Sequence, residues 1–129
     1  MGLHDRNKRG FKRLLRSFMY ATHGLMYVVK NEQNMQIHLI VTVISLIAAF
    51  LLQLPLLHWV ILLLVIAGML SLEIMNTAIE RTVDLVTEEY HPLAKRAKDI
   101  SAAAVFVYCI FAVVIGLIIF IPSIIQLIG

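Results

Sequence analysis

The stretch from Leu72 to Asp84 places Glu73, Asn76, Thr77, Glu80 and Asp84 directly after a long apolar run. Wound as an α-helix at about 100° per residue, these five side chains fall within an arc of about 100°. Three carboxylates, an amide and a hydroxyl thus share one face over three turns, while Ile74, Met75, Ile79 and Val83 lie mostly off it. A carboxylate at membrane depth costs about 2.5 kcal/mol or more and marks function by default. Packing alone would need only small or apolar residues there. Acids on one face repel one another unless something positive intervenes. Hard carboxylate oxygens, without cysteine or clustered histidine, favour Mg²⁺, which bridges protein acids and substrate phosphates. One acid kept poised would instead serve as a general base, and both uses are compatible. The plainer alternative is a helix extension whose acids are merely solvated, which suits Asp84 better than Glu73.

Two further polar segments accompany this stripe. Tyr90, His91 and Pro92 lead into Lys95, Arg96, Lys98 and Asp99. Pro92 suits the first turn of a helix, on which Lys95, Lys98 and Asp99 share a face. Basic groups at that boundary can hold polyphosphate oxygens. Anchoring by positive charge accounts equally well for Lys95 and Arg96, but poorly for Asp99. The segment from Lys30 to His38 carries Glu32 at a polar–apolar boundary and His38 just inside the apolar run. Glu32 meets the Glu80 region if the helices bearing them are antiparallel. His38 reads either as a packed, hydrogen-bonded residue or as a site residue.

These residues need elements to position them, and composition says which. Of 129 residues, 60% are hydrophobic and 15% charged. A soluble domain is about 45–50% apolar, and a chain this short cannot bury such an excess in its own core. Lipid is the remaining solvent. Apolar runs cover Leu39–Leu52, Leu56–Leu72 and Ile100–Ile121, and with flanking residues each reaches the roughly 20 residues a bilayer needs. The expected fold is all-α and integral to the membrane: one domain over 1–129, an N-terminal amphipathic surface helix over about 5–30, and spans over about 36–53, 56–84 and 97–121. The uncharged Gln53–Pro55 turn makes the first two spans antiparallel neighbours. Phe11, Leu14, Leu15 and Phe18 repeat at i, i+3, i+4 and i+7, with Lys12, Arg13 and Arg16 between them, as on a helix lying on the membrane surface.

Charge sets direction. Arg6, Lys8, Arg9, Lys12, Arg13, Arg16 and Lys30 precede the first span, and Arg81, Lys95, Arg96 and Lys98 lie between the second and third. The N-terminus and the 84–99 loop are therefore expected in the cytoplasm and the C-terminus outside. The net charge of +3 is confined to these flanks, which argues against nucleic acid as a partner. Cys109, the single cysteine, excludes an intramolecular disulfide and a thiolate metal site. The basic N-terminus lacks the clean apolar core and cleavage site of a signal peptide. No Walker A string or protein-kinase motif set is present.

Together these strings resemble the small prokaryotic diacylglycerol kinase/undecaprenol kinase family. Asn31-Glu32 with Ile37-His38, the run from Glu73 through Asn76 to Glu80 with Asp84, and His91 through Lys95, Lys98 and Asp99 carry the resemblance. It covers nearly the whole chain. It implies a homotrimeric lipid kinase of a bacterial plasma membrane, with active sites shared between neighbouring chains, MgATP as donor and a membrane alcohol as acceptor. By resemblance, Glu73 is the general base, and Glu32 and Glu80 bridge the metal that holds ATP. Asn76 organises the site, Lys98 and Asp99 contact nucleotide, and Arg13 and Tyr20 do so from the surface helix. His38 stands where the diacylglycerol-preferring branch has a carboxylate and the Gram-positive branch has histidine. It favours undecaprenol, with diacylglycerol as the alternative acceptor.

Two departures stand out: Arg81-Thr82 replaces a small apolar pair after Glu80, and Gln36 occupies a position where a basic residue is common. Neither is assigned to catalysis. A non-enzymatic reading, as an ion conduit or assembly subunit, would need polar residues along the full depth of a span, whereas the acids here cluster at one end.

Overall fold

The computed structural model describes residues 10–129, which form four helices: α1 (Phe11–Asn31), α2 (Gln33–Leu51), α3 (Leu56–Val86) and α4 (Pro92–Ile128). Arg6, Lys8, Arg9 and the start of the expected surface helix lie outside the described residues. Gly10, at φ 118°, opens α1 in a conformation that favours glycine.

Only one residue separates α1 from α2, where the sequence suggested a longer interval. Glu32 adopts φ −106° and ψ 115°, extended rather than helical. Its N–H still donates to the Val28 carbonyl at 2.9 Å, and its own carbonyl accepts from the Gln36 N–H at 3.2 Å. The Gln36 side-chain amide donates to the carbonyls of Val29 and Lys30, both at 3.2 Å. A helix end leaves such carbonyls without intrahelical partners, and Gln36 supplies one. This gives a reason for glutamine at a position where the resemblance suggested a base. Glu32 is left at the corner of two helices.

α2, α3 and α4 are each long and apolar enough to cross a membrane, and the protein is a membrane protein. The turn between α2 and α3 is tight: Gln53 takes φ 51°, and the Leu54 N–H donates to the Ala49 carbonyl at 3.1 Å. α3 packs most extensively on α4 and also on α2. Near this turn, Ala49, Leu54, Leu62 and Ile119 form the apolar core, with Trp59 and Ile115 packed against them. Gly68 lets α3 approach α4, because a Cβ there would overlap the Tyr108 hydroxyl. That hydroxyl donates to the Leu64 carbonyl at 3.3 Å. Elsewhere Ile40, Ile44, Phe50, Leu64, Phe106 and Phe111 point outward, as lipid-facing side chains do.

The 31 residues of α3 exceed what the hydrocarbon core requires. About 20 residues counted from Leu56 end at Met75. Glu73 therefore sits in the last apolar turn, and Glu80 and Asp84 stand beyond it.

Candidate active site

The polar stripe of α3 turns inward. Glu73, Asn76 and Thr77 are 2%, 6% and 4% exposed. Thr77 donates its hydroxyl to the Glu73 carbonyl at 3.0 Å, so its own polar group is satisfied within the helix. The Asn76 amide is paired at both ends: its nitrogen donates to Glu80 Oε1 at 3.1 Å, and its oxygen accepts from the buried Ser101 hydroxyl of α4. A buried amide with both ends paired fixes the register of α3 against α4 and aims the Glu80 carboxylate.

The Glu73 carboxylate is different. Its Oε2 is buried and has no hydrogen-bond partner among the described residues. His38 and Asn34 of α2, together with Glu80 and Glu32, are its electrostatic neighbours. Polar residues of the α1–α2 corner, α2, α3 and α4 thus converge at the end of the bundle opposite the apolar core.

Around this centre the charges are paired. Arg81 Nη2 donates to Glu32 Oε1 at 2.6 Å, joining the α1–α2 corner to α3. Lys98 of α4 donates to Asp84 Oδ1 of α3 at 2.5 Å, and Lys95 pairs with Asp99 at 2.5 Å along α4. Lys98 and Asp99 therefore engage different partners. His91 caps α4, its Nδ1 accepting from the Leu93 N–H at 3.2 Å. Arg13 and Tyr20 lie on α1, about 27 Å and 17 Å along the helix from Asn31 at 1.5 Å per residue. That spacing sets them apart, along α1, from the corner that carries Glu32.

A sequence profile of the prokaryotic diacylglycerol kinase family matches residues 19–120. The chain belongs to that family. An undecaprenol kinase of Bacillus subtilis is 44% identical over 91% of this chain and 95% of its own length. A diacylglycerol kinase of Synechocystis is 40% identical over 88% of this chain and 66% of its own length. The diacylglycerol kinase of Escherichia coli K12 is 32% identical over 84% and 88%. The protein is a lipid kinase, its phosphoryl donor is ATP, and the non-enzymatic reading falls away.

The residues present suit a kinase's metal. Glu32 and Glu80 are hard oxygen donors within electrostatic range of the buried Glu73 carboxylate. Among the described residues no three His, Cys, Asp or Glu side chains form a metal-binding group by themselves. Mg²⁺ commonly takes one or two protein carboxylates and completes its shell with substrate phosphates and water, so two carboxylates fit it. Asn34, Ser101, Tyr27 and Arg81 have no assigned site role in the sequence alone. A single polar residue beside Glu32 or on the first turns of α4 was the only signal for Asn34 and Ser101. Arg81 was visible as a departure from the family pattern.

Proposed function

We propose that this lipid kinase transfers the γ-phosphoryl group of ATP to undecaprenol, giving undecaprenyl phosphate and ADP. The observation that carries the mechanism is the Glu73 carboxylate, buried with one oxygen unpaired where α3 leaves its apolar stretch. A lipid hydroxyl arrives from the bilayer side at that depth, and ATP from the water side. Glu73 Oε2 takes the hydroxyl proton as the oxygen attacks the γ-phosphorus. The bond from that phosphorus to the bridging oxygen of the β-phosphate breaks, ADP leaves, and Glu73 later returns its proton to water. Such a transfer needs positioning and charge neutralisation more than covalent catalysis.

Glu32 and Glu80 would hold Mg²⁺, which when bound neutralises charge on the β- and γ-phosphates. Asn76 keeps Glu80 aimed at it. His38, a neighbour of Glu73, orients the acceptor, and Asp84 holds Lys98 at the phosphate end. Lys98, Asp99, Arg13 and Tyr20 contact the nucleotide, the last two from a neighbouring copy, because within one chain they lie along α1 away from the carboxylates. That arrangement calls for a shared site, as in a homotrimer, and the outward apolar faces leave room for neighbouring copies. Phe11, Leu14, Leu15 and Phe18 are 72%, 53%, 53% and 64% exposed, which supports α1 lying on the cytoplasmic leaflet. The N-terminus then faces ATP and the C-terminus lies outside, in one domain of three spans.

Undecaprenol is preferred because of the 44% identity to an undecaprenol kinase and the histidine at position 38. Diacylglycerol is the second reading, since other relatives bear that name. The test measures phosphoryl transfer from ATP to undecaprenol and to diacylglycerol, side by side, with purified protein in lipid. Faster transfer to undecaprenol is expected. Preference for diacylglycerol overturns the acceptor assignment, and no transfer to either overturns both readings.

A further inference from the structure

Arg81 replaces a small apolar residue expected directly after Glu80, and the structure supplies it with three partners: Tyr27 on α1, Glu32 at the α1–α2 corner and Asp84 one turn along α3. Its Nη2 donates to Glu32 Oε1 at 2.6 Å, across 49 residues of sequence. Its Nη1 lies 4.0 Å from Asp84 Oδ2. Its guanidinium carbon lies 5.9 Å from the centroid of the Tyr27 ring on α1. Glu32 is mostly covered, with 18% of its side chain exposed, while half of Arg81 is exposed. The covered partner is thus held by a group that is free to move into water.

We infer that Arg81 is a latch, a positioning residue that holds Glu32 until Mg²⁺·nucleotide takes that carboxylate. The inference rests on the proposed role of Glu32 as a metal-bridging acid. A carboxylate oxygen that accepts a close guanidinium hydrogen bond has one lone pair fewer to offer a metal, and a cation arriving there repels the guanidinium. Release has a ready destination. Asp84 Oδ1 already binds Lys98 at 2.5 Å, so Oδ2, 4.0 Å from Arg81 Nη1, is the receiving atom. In the empty enzyme the latch ties Glu32 and Tyr27, hence the C-terminal end of α1, to α3. In the loaded enzyme Glu32 would be held by the metal in place of Arg81. The shift needs only rotation of an exposed arginine about its side-chain bonds. The latch also explains why an arginine is tolerated beside a cation site: its charge is neutralised by acids in both positions.

The test titrates Mg²⁺ at fixed non-hydrolysable ATP analogue, reading binding with protein in lipid nanodiscs. Arg81→Met keeps the stem against Tyr27 and removes the charge. Losing a competitor of an exposed pair's strength lowers the half-saturating Mg²⁺ concentration by about two- to fivefold. Hydrogen exchange at the amides of Val28–Asn31 speeds up in the empty variant and matches wild type once Mg²⁺·nucleotide is bound. A general change in surface charge does not give that nucleotide-dependent difference. Arg81→Lys keeps a cation with a single point of hold and falls between. It decides the matter if Arg81→Met does not fold, and no shift in it then overturns the latch. Wild-type protein that binds no Mg²⁺·nucleotide overturns the kinase-site reading and the latch with it. Wild-type binding with an unchanged variant overturns the latch alone. Weaker binding in the variant makes Arg81 a phosphate ligand, which likewise overturns it.

Discussion

Replacing Glu73 with glutamine separates catalysis from stability in a way that few substitutions here do. The two side chains have nearly the same shape, and the neighbouring Thr77 hydroxyl bonds the Glu73 backbone carbonyl rather than its carboxylate. The helix and its packing are therefore undisturbed. The proton acceptor at Oε2 is lost, however, and a general base contributes about 10²- to 10⁴-fold to rate. The expected fall in kcat is of that size, equivalent to about 2.7–5.5 kcal/mol in the barrier. Apparent affinity for MgATP should change little, because the proposed metal-bridging acids are Glu32 and Glu80. Stability should hold or rise, since a carboxylate that is 2% exposed with an unpaired oxygen is costly to bury. The assay couples initial-rate kinetics on undecaprenol with thermal unfolding in the same detergent. A kcat within about tenfold of wild type would refute the base assignment. So would a loss of activity matched by a loss of folded protein, which would make Glu73 structural.

Three other substitutions or treatments probe neighbouring parts of the argument. Asn76→Ala unpairs the buried Ser101 hydroxyl and releases Glu80, and should destabilise the protein by about 1–3 kcal/mol. It should also weaken Mg²⁺ dependence by about 10- to 100-fold, as loss of an outer-shell partner does, measured as the half-saturating Mg²⁺ concentration in the kinase assay. Gly68→Ala should cost about 1–3 kcal/mol in denaturant unfolding by displacing Tyr108. In a Tyr108→Ala background the same change should become neutral or stabilising, because alanine is the better helix former by about 1 kcal/mol. Removing divalent cations with a chelator should abolish transfer reversibly without shifting the helical circular dichroism signal, since among the described residues no three His, Cys, Asp or Glu side chains form a metal-binding group. A chelator that unfolds the protein would assign the cation a structural part.

Much of this protein is written locally. The three apolar helices follow from runs that are too long and too apolar for a chain of 129 residues to bury. The shared face of Glu73, Asn76, Thr77, Glu80 and Asp84 follows from the helical period alone, which depends only on backbone hydrogen bonds four residues apart. The start of α4 at Pro92 follows from proline's fixed φ. What the tertiary structure decided are the pairings between helices. Spacing placed Lys95, Lys98 and Asp99 on one face, and Lys95 does pair with Asp99 along α4, but Lys98 reaches across to Asp84 of α3. The partner of Asn76 on α4 and the capture of Glu32 by Arg81 link residues 25 and 49 positions apart. Such contacts depend on the angle of the break at Glu32 and on how closely α3 and α4 approach at Gly68. Helical periodicity says which way a side chain faces on its own helix. Only packing sets the height and rotation of one helix against another, and so which polar groups meet.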